Sequence, residues 1–155
     1  MKTRFLTILM AIILSATSVH AGNFDSVFEQ FRHAEHAEYV KIPSLLMRFA
    51  SMFEDMSDSF DNLGLKGSIS GCRVLDMSGC DSEDKSAFQQ AVTGCKVDNL
   101  DEIMRTGGKD KTRIWIKTAG NKIKKLYIYS QDATGGCALV ELSGNLHFEN
   151  KNTAD

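Results

Sequence analysis

Beyond its first residues, the chain has no apolar run approaching the roughly 20 consecutive residues that a membrane-spanning helix needs, so no transmembrane helix is expected in the mature protein. It also lacks a basic surplus: 18 Lys and Arg stand against 20 Asp and Glu, which argues against nucleic acid as a partner. There is no G-x-S-x-G, no phosphate-cradling glycine loop and no dinucleotide fingerprint, and nothing places a His beside Cys or Ser. These absences leave no catalytic residue to name and no cofactor to expect, so the protein is not expected to be an enzyme. Internal repeats and low-complexity tracts are missing too, and 155 residues read as one domain.

What is present begins with an address. Lys2 and Arg4 form a positive start, Phe5 to Leu14 an apolar core, and Val19-His20-Ala21 ends in a small residue fit for cleavage. Residues 1–21 are therefore expected to be a signal peptide, with the chain exported to the periplasm or cell envelope, or secreted. Residues 22–148 form the expected domain and 149–155 a polar tail that frays. No Cys follows the apolar core closely enough to serve as a lipid anchor. Losing Lys2 and Arg4 leaves 16 basic residues against 20 acidic ones, a formal charge of −4.

Four cysteines remain, Cys72, Cys80, Cys95 and Cys137. With a strand over Ile69–Met77, Cys72 and Cys80 lie up to about 26 Å apart. With a helix over Ser82–Thr93, Cys80 and Cys95 sit about 22 Å apart at its two ends. Both separations exceed the roughly 7 Å that a disulfide allows between Cα atoms. A strand going out and a helix coming back would return Cys95 to the start of the strand, which makes Cys72 with Cys95 the favoured pairing in an oxidising compartment. Cys80 with Cys137 stays open, as do four buried free thiols.

Helical spacing of Phe24, Val27, Phe28 and Phe31 predicts an amphipathic helix from Asn23 to about Ala37. Tyr39–Ile42 reads as a short strand. Pro43 and Ser44 open a second helix with the stripe Leu45/Leu46, Phe49, Met52/Phe53 and Met56, and 57–67 reads as a loop. Next come the strand Ile69–Met77 and a helix started by Asp81 and stopped by Gly94. Strand patterns then follow at Asn99–Arg105, Thr112–Lys117, Lys122–Tyr129 and Cys137–Leu142, separated by short Gly/Asn/Asp turns. The fold class is α+β: a single domain with an antiparallel meander sheet of about five to six strands and helices on at least one face.

The segments YVKIPSLLMRFASMF, CRVLDMSGC, DEIMRTGGKDKTRIWIK and KIKKLYIYSQDATGGCALVELSGNL resemble the exported bacterial family catalogued as domain of unknown function 4252, found mostly in Bacteroidota. The resemblance runs from about Phe28 to Leu146, and is most specific at Thr112–Lys117 and Val140-Glu141-Leu142-Ser143-Gly144. It implies a fold and an envelope location but no activity, and no catalytic residues come with it. Some members look like lipoproteins; this chain lacks the cysteine that would extend that to it.

Two constellations remain to be weighed. Glu29, His33 and His36 could offer two imidazoles and a carboxylate to a metal. On a continuous helix, however, they fall opposite Phe24, Val27, Phe28 and Phe31, on the solvent side, where a specific site lacks a dry surround. They are a weak surface candidate, and no metal is expected. The acids Glu54, Asp55, Asp58 and Asp61 miss the spacing of a calcium loop.

The second constellation is in the sheet. Alternation puts Ile114, Ile116, Leu126, Ile128, Ala138, Val140 and Leu142 on one face, read as the core beneath the helices. The opposite face gathers Trp115, Tyr127, Tyr129 and Leu139, rimmed by Arg113, Lys117 and Glu141. Left open, that aromatic patch is an interaction surface for an unknown envelope protein or a second copy of the chain; covered, it is an ordinary second core. Lys109, Lys111, Lys122, Lys124 and Lys125 crowd the hairpin ends, where they could steer the patch toward acidic lipid headgroups, a peripheral membrane contact, or toward an acidic partner, though a solvated edge that resists strand pairing is the commoner meaning of such lysines. The leading expectation is thus a non-catalytic exported binding module acting through the aromatic face. A small-ligand or lipid-headgroup binder comes second, and a metal protein or enzyme third.

Overall fold

Alternation of side chains between two faces is what a strand provides, and six strands pair here, the inner ones carrying most of the buried side chains. The computed structural model describes residues 22–43, 64–96 and 100–149. The expected signal peptide, the second helix expected after Pro43, the acids Glu54, Asp55, Asp58 and Asp61, and residues 150–155 of the expected tail lie outside the described residues. Among the described residues there are two helices, α1 (Phe24–Phe31) and α2 (Ser82–Thr93). The strands are β1 (Glu38–Ile42), β2 (Leu65–Asp76), β3 (Leu100–Arg105), β4 (Lys111–Ala119), β5 (Lys122–Gln131) and β6 (Cys137–Phe148). They form one open antiparallel sheet in the order β1-β2-β6-β5-β4-β3. The meander of the last four strands is as expected, and β6 closes back on β2. No helix among the described residues is long and apolar enough to cross a membrane.

The helix ends follow from side-chain chemistry. Asn23 caps α1 by accepting the Ser26 N–H at 2.9 Å, and Asp81 caps α2 by accepting the Asp84 N–H at 2.8 Å. Gly94 ends α2 in a right-handed conformation, its N–H donating to Gln90 O at 2.9 Å. α1 is shorter than the predicted span. After Phe31 the stripe offers only Ala34 and Ala37, too small to hold another turn against the core. Ala34 N–H instead donates to Phe31 O and Ala37 N–H to Ala34 O, and His36 turns left-handed at φ 64° to start β1.

Strands β2 and β6 run longer than expected because two glycines let them close. A Cβ on Gly67 (φ 132°) would meet Asn145 O at 2.2 Å, and one on Gly144 would meet Ser68 O at 2.1 Å. Only hydrogen fits at either position.

The two faces differ from the sequence reading. Both described helices pack on the face of Trp115, Tyr127, Tyr129 and Leu139, not on that of Ile114 and Ile116. The opposite face carries the second apolar cluster, with Cys72, Ile114, Ile116, Leu126 and Leu142 buried. Val40 and Met104 mark its two edges and are exposed. The faces also overturn the favoured disulfide. All four cysteines are free. Cys72 belongs to the second cluster while Cys95 packs against the helix-covered one, so the sheet lies between them. A strand and a returning helix do bring the chain back, but onto the other side of the sheet.

Candidate functional site

The aromatic face is filled. Trp115 is 6% exposed, Tyr127 4%, Tyr129 2% and Leu139 0%. Phe24 of α1 stacks on Tyr127 with ring centres 4.2 Å apart and tilts onto Trp115 at 5.2 Å. Phe88 of α2 sits between Phe31 (5.4 Å) and Tyr129 (6.1 Å). Each such ring stabilises the fold by ~1.5–3 kcal/mol through burial. The expected interaction surface is therefore corrected to the seat of both helices. Its rim residues Arg113 and Lys117 stay partly exposed; Arg113 lies 4.6 Å over the Trp115 ring and pairs with Glu102.

The histidines do not converge. Both lie beyond the end of α1, in the turns that lead to β1. Glu29 pairs with Arg32 at 3.0 Å, His33 Nε2 accepts from Arg32 Nε at 3.0 Å, and His36 approaches Glu35 at 3.5 Å. Among the described residues, no group of three or more His, Cys, Asp or Glu is placed to hold a metal ion. The five hairpin lysines are also divided: Lys109 and Lys111 flank the β3–β4 turn, whereas Lys122, Lys124 and Lys125 lie beside the β4–β5 turn, at the other end of β4.

A different group does converge, on the helix-covered face beside the first turn of α1. One cross-strand row runs Lys41, Arg73, Glu141, Tyr127, Trp115, Glu102 from β1 to β3. The next row toward the cleft holds Gly71, Ser143, Lys125 and Lys117. Arg73 Nε donates to Glu141 Oε1 at 2.9 Å, and its Nη2 donates to Glu141 Oε2 at 2.6 Å. The same Nη2 donates to Asp25 in the first turn of α1. Lys125 Nζ donates to Glu141 Oε2 at 3.1 Å and stands 3.9 Å from Asp25. The Arg73 guanidinium also lies 4.2 Å over the Phe28 ring, which fixes its plane.

These groups wall an open cleft of about 400 Å³ between α1 and strands β1, β2, β5 and β6, with Lys41, Ser70 and Ser143 at its mouth. Gly71 contributes no side chain to it. The side chains of Arg73 and Glu141 are 12% and 5% exposed, whereas Asp25 is 58% exposed. Burial would raise the Glu141 pKa, but the Arg73 and Lys125 bonds hold it below the usual carboxylate value. Asp25 is likewise lowered: desolvation opposes the shift, and Arg73, Lys125 and Lys117 overcome it. Burial comes first in raising the Tyr127 hydroxyl, and the Glu141 and Asp25 charges add to it. Arg73 and Lys125 thus bond both carboxylates or stand beside them, Lys117 acts on Asp25 from farther off, and Lys41 adds a positive charge to the cleft wall, an arrangement suited to holding a negatively charged group.

Sequence reasoning missed Asp25, Lys41 and Arg73, and took Glu141 only as a rim charge and Lys125 only as a hairpin-end lysine. The available signal was a charged residue on the inward-facing set of an apolar strand, Arg73 in GCRVL and Glu141 in ALVEL.

A family model described as Domain of unknown function (DUF4252) matches residues 31–152, which include Lys41, Arg73, Lys125 and Glu141 but not Asp25. Nothing among the curated proteins or the solved structures matches the chain.

Proposed function

Because the chain belongs to the family described as Domain of unknown function (DUF4252), its function has to be read from its own geometry, and we propose that it is an exported, non-catalytic binding module that receives a small anionic ligand in the Arg73 cleft. One observation carries this reading. A guanidinium with little exposure is fixed by Glu141 and Phe28 at the wall of an open cleft, with Lys41 and Lys125 beside it. Arginine held in one plane recognises carboxylate and phosphate groups in a way that a mobile surface lysine does not. Lys41 makes no hydrogen bond or ion pair with the described residues, so its charge is free to meet a ligand. Export rests on the charged start, apolar core and small-residue end of residues 1–21.

Native mass spectrometry of the chain, purified without denaturation from the cells that make it, tests both parts. The protein mass should correspond to a start at Gly22, and a small anionic adduct should be present that a Lys41→Ala/Lys125→Ala double variant loses. An uncleaved chain counts against export. No adduct, or one the double variant keeps, counts against the cleft.

A second reading has a narrower basis. With the aromatic face filled, a sheet edge is the surface this reading would use for contact with an envelope protein or a second copy. β1 is the better of the two, since its Val40 is 50% exposed, whereas β3 is interrupted by a bulge between Glu102 and Met104. Strand addition at β1 predicts that Val40→Lys abolishes any self-association seen by sedimentation.

A further inference from the structure

The Arg73 guanidinium has two edges, each able to present a pair of parallel N–H groups. Glu141 fills one edge completely, through Nε and Nη2. The other edge, Nη1 and Nη2, faces Asp25, which takes only Nη2. Nη1 makes no hydrogen bond to a described residue, nor is it sealed from solvent. The two carboxylates on this one cation are therefore unlike. Glu141 is buried in the middle of the sheet and tied to Lys125 and Arg73. Asp25 is 58% exposed, stands in the first turn of an eight-residue helix, bonds to Arg73 alone among the described residues and lies 3.9 Å from Lys125. A group in that position can leave without disturbing the core.

We infer that Asp25 is a resident stand-in for the ligand, and that the ligand presents a phosphate group which displaces Asp25 from the outer edge of Arg73. The inference rests on the binding reading above. With Asp25 swung away, the cations Lys41, Arg73 and Lys125 line the cleft with Glu141 as the one carboxylate left among the described lining residues, which favours a group carrying more than one negative charge over a single carboxylate. Two phosphate oxygens match the paired donors of Nη1 and Nη2, and Lys41 and Lys125 reach the remaining oxygens from either side. Glu141 keeps Arg73 in plane throughout. The protein's own carboxylate thus screens the cations of the cleft.

This makes an unusual prediction: removing a polar group from the site should tighten binding. Isothermal titration with inorganic phosphate, and co-sedimentation with phosphatidylcholine vesicles carrying phosphatidic acid, are run on wild type, Asp25→Asn, Asp25→Ala and Lys41→Ala. Both Asp25 variants should bind about tenfold more tightly than wild type, and Lys41→Ala several-fold more weakly. Melting curves should show all four proteins folded. Tightening with inorganic phosphate identifies a free phosphate compound, and tightening on vesicles alone identifies a lipid headgroup. If the Asp25 variants bind no better than wild type while Lys41→Ala still weakens binding, the stand-in idea is overturned and the cleft survives. If no protein binds either probe, the phosphate assignment falls, and an adduct seen by mass spectrometry would then have to be a different anion.

Discussion

Glu102 and Glu141 occupy one cross-strand row with Trp115 and Tyr127 between them, and each is gripped by arginine, yet the two ends of that row behave differently. Glu102 lies on edge strand β3. Hydrogen bonds from Arg105 and Arg113 pull its pKa down to about 2, and its side chain stays 23% exposed. Glu141 lies inside the sheet, where burial opposes ionisation and the Arg73 and Lys125 bonds must overcome it. The comparison teaches that similar residue pairs serve separate ends. At the rim the ions clasp an edge strand to its neighbour and lose little hydration in doing so. In the interior, an ion pair gives up most of its hydration and is a poor way to gain stability alone. What it gains here is an arginine with one edge fixed and the other facing a cleft.

The largest effect should come from removing the partition between the two ends. Trp115→Ala empties the seat of Phe24 and should lower unfolding free energy by about 3–5 kcal/mol in urea titrations. A loss under about 1 kcal/mol would mean that α1 is not anchored there. Next, the two acids can be set against each other by neutralising each in turn. Glu141→Gln leaves a buried arginine without its main partner and should lower stability by about 3 kcal/mol, whereas Glu102→Gln should remove less than about 1 kcal/mol. Equal losses would erase the distinction drawn here.

The smallest effect concerns acid. Both carboxylates have folded pKa values below the ordinary one, so their stabilisation is present at neutral pH and disappears as pH falls through the folded value. For Glu102 that window runs from pH 4.5 down to about 2. Glu102→Gln should therefore flatten the decline of melting temperature across that window. Superimposable curves for wild type and variant would show that the clasp adds nothing.

Much of this was legible in the chain, for identifiable reasons. The bounds of α2 follow from Asp81 and Gly94, which are local chemistry. The strands followed from alternation, and their short turns forced the meander. Which face the helices cover was not legible, because both alternating sets are apolar and periodicity carries no sign. Phe24 could have indicated it, since a helix led by phenylalanines packs well on a face of aromatic rings. The end of α1 was missed because the stripe fades gradually into Ala34 and Ala37. The cleft was least legible: Arg73 lies 48 residues from Asp25 and 68 from Glu141; the β2–β6 pairing brings it to Glu141, and the packing of α1 on that face brings it to Asp25.

The four thiols have a consequence beyond the lost disulfide. Cys72 sits under one face of the sheet and Cys137 under the other, and burial pushes the pKa of both upward, that of Cys137 to about 11. At neutral pH neither offers much thiolate to an alkylating reagent while the native packing holds. Each becomes reactive only when its own layer opens, so the rate at which each is labelled times the opening of one layer. The chain therefore carries two internal clocks, one on either side of the sheet, that can show whether the layers come apart together or in turn.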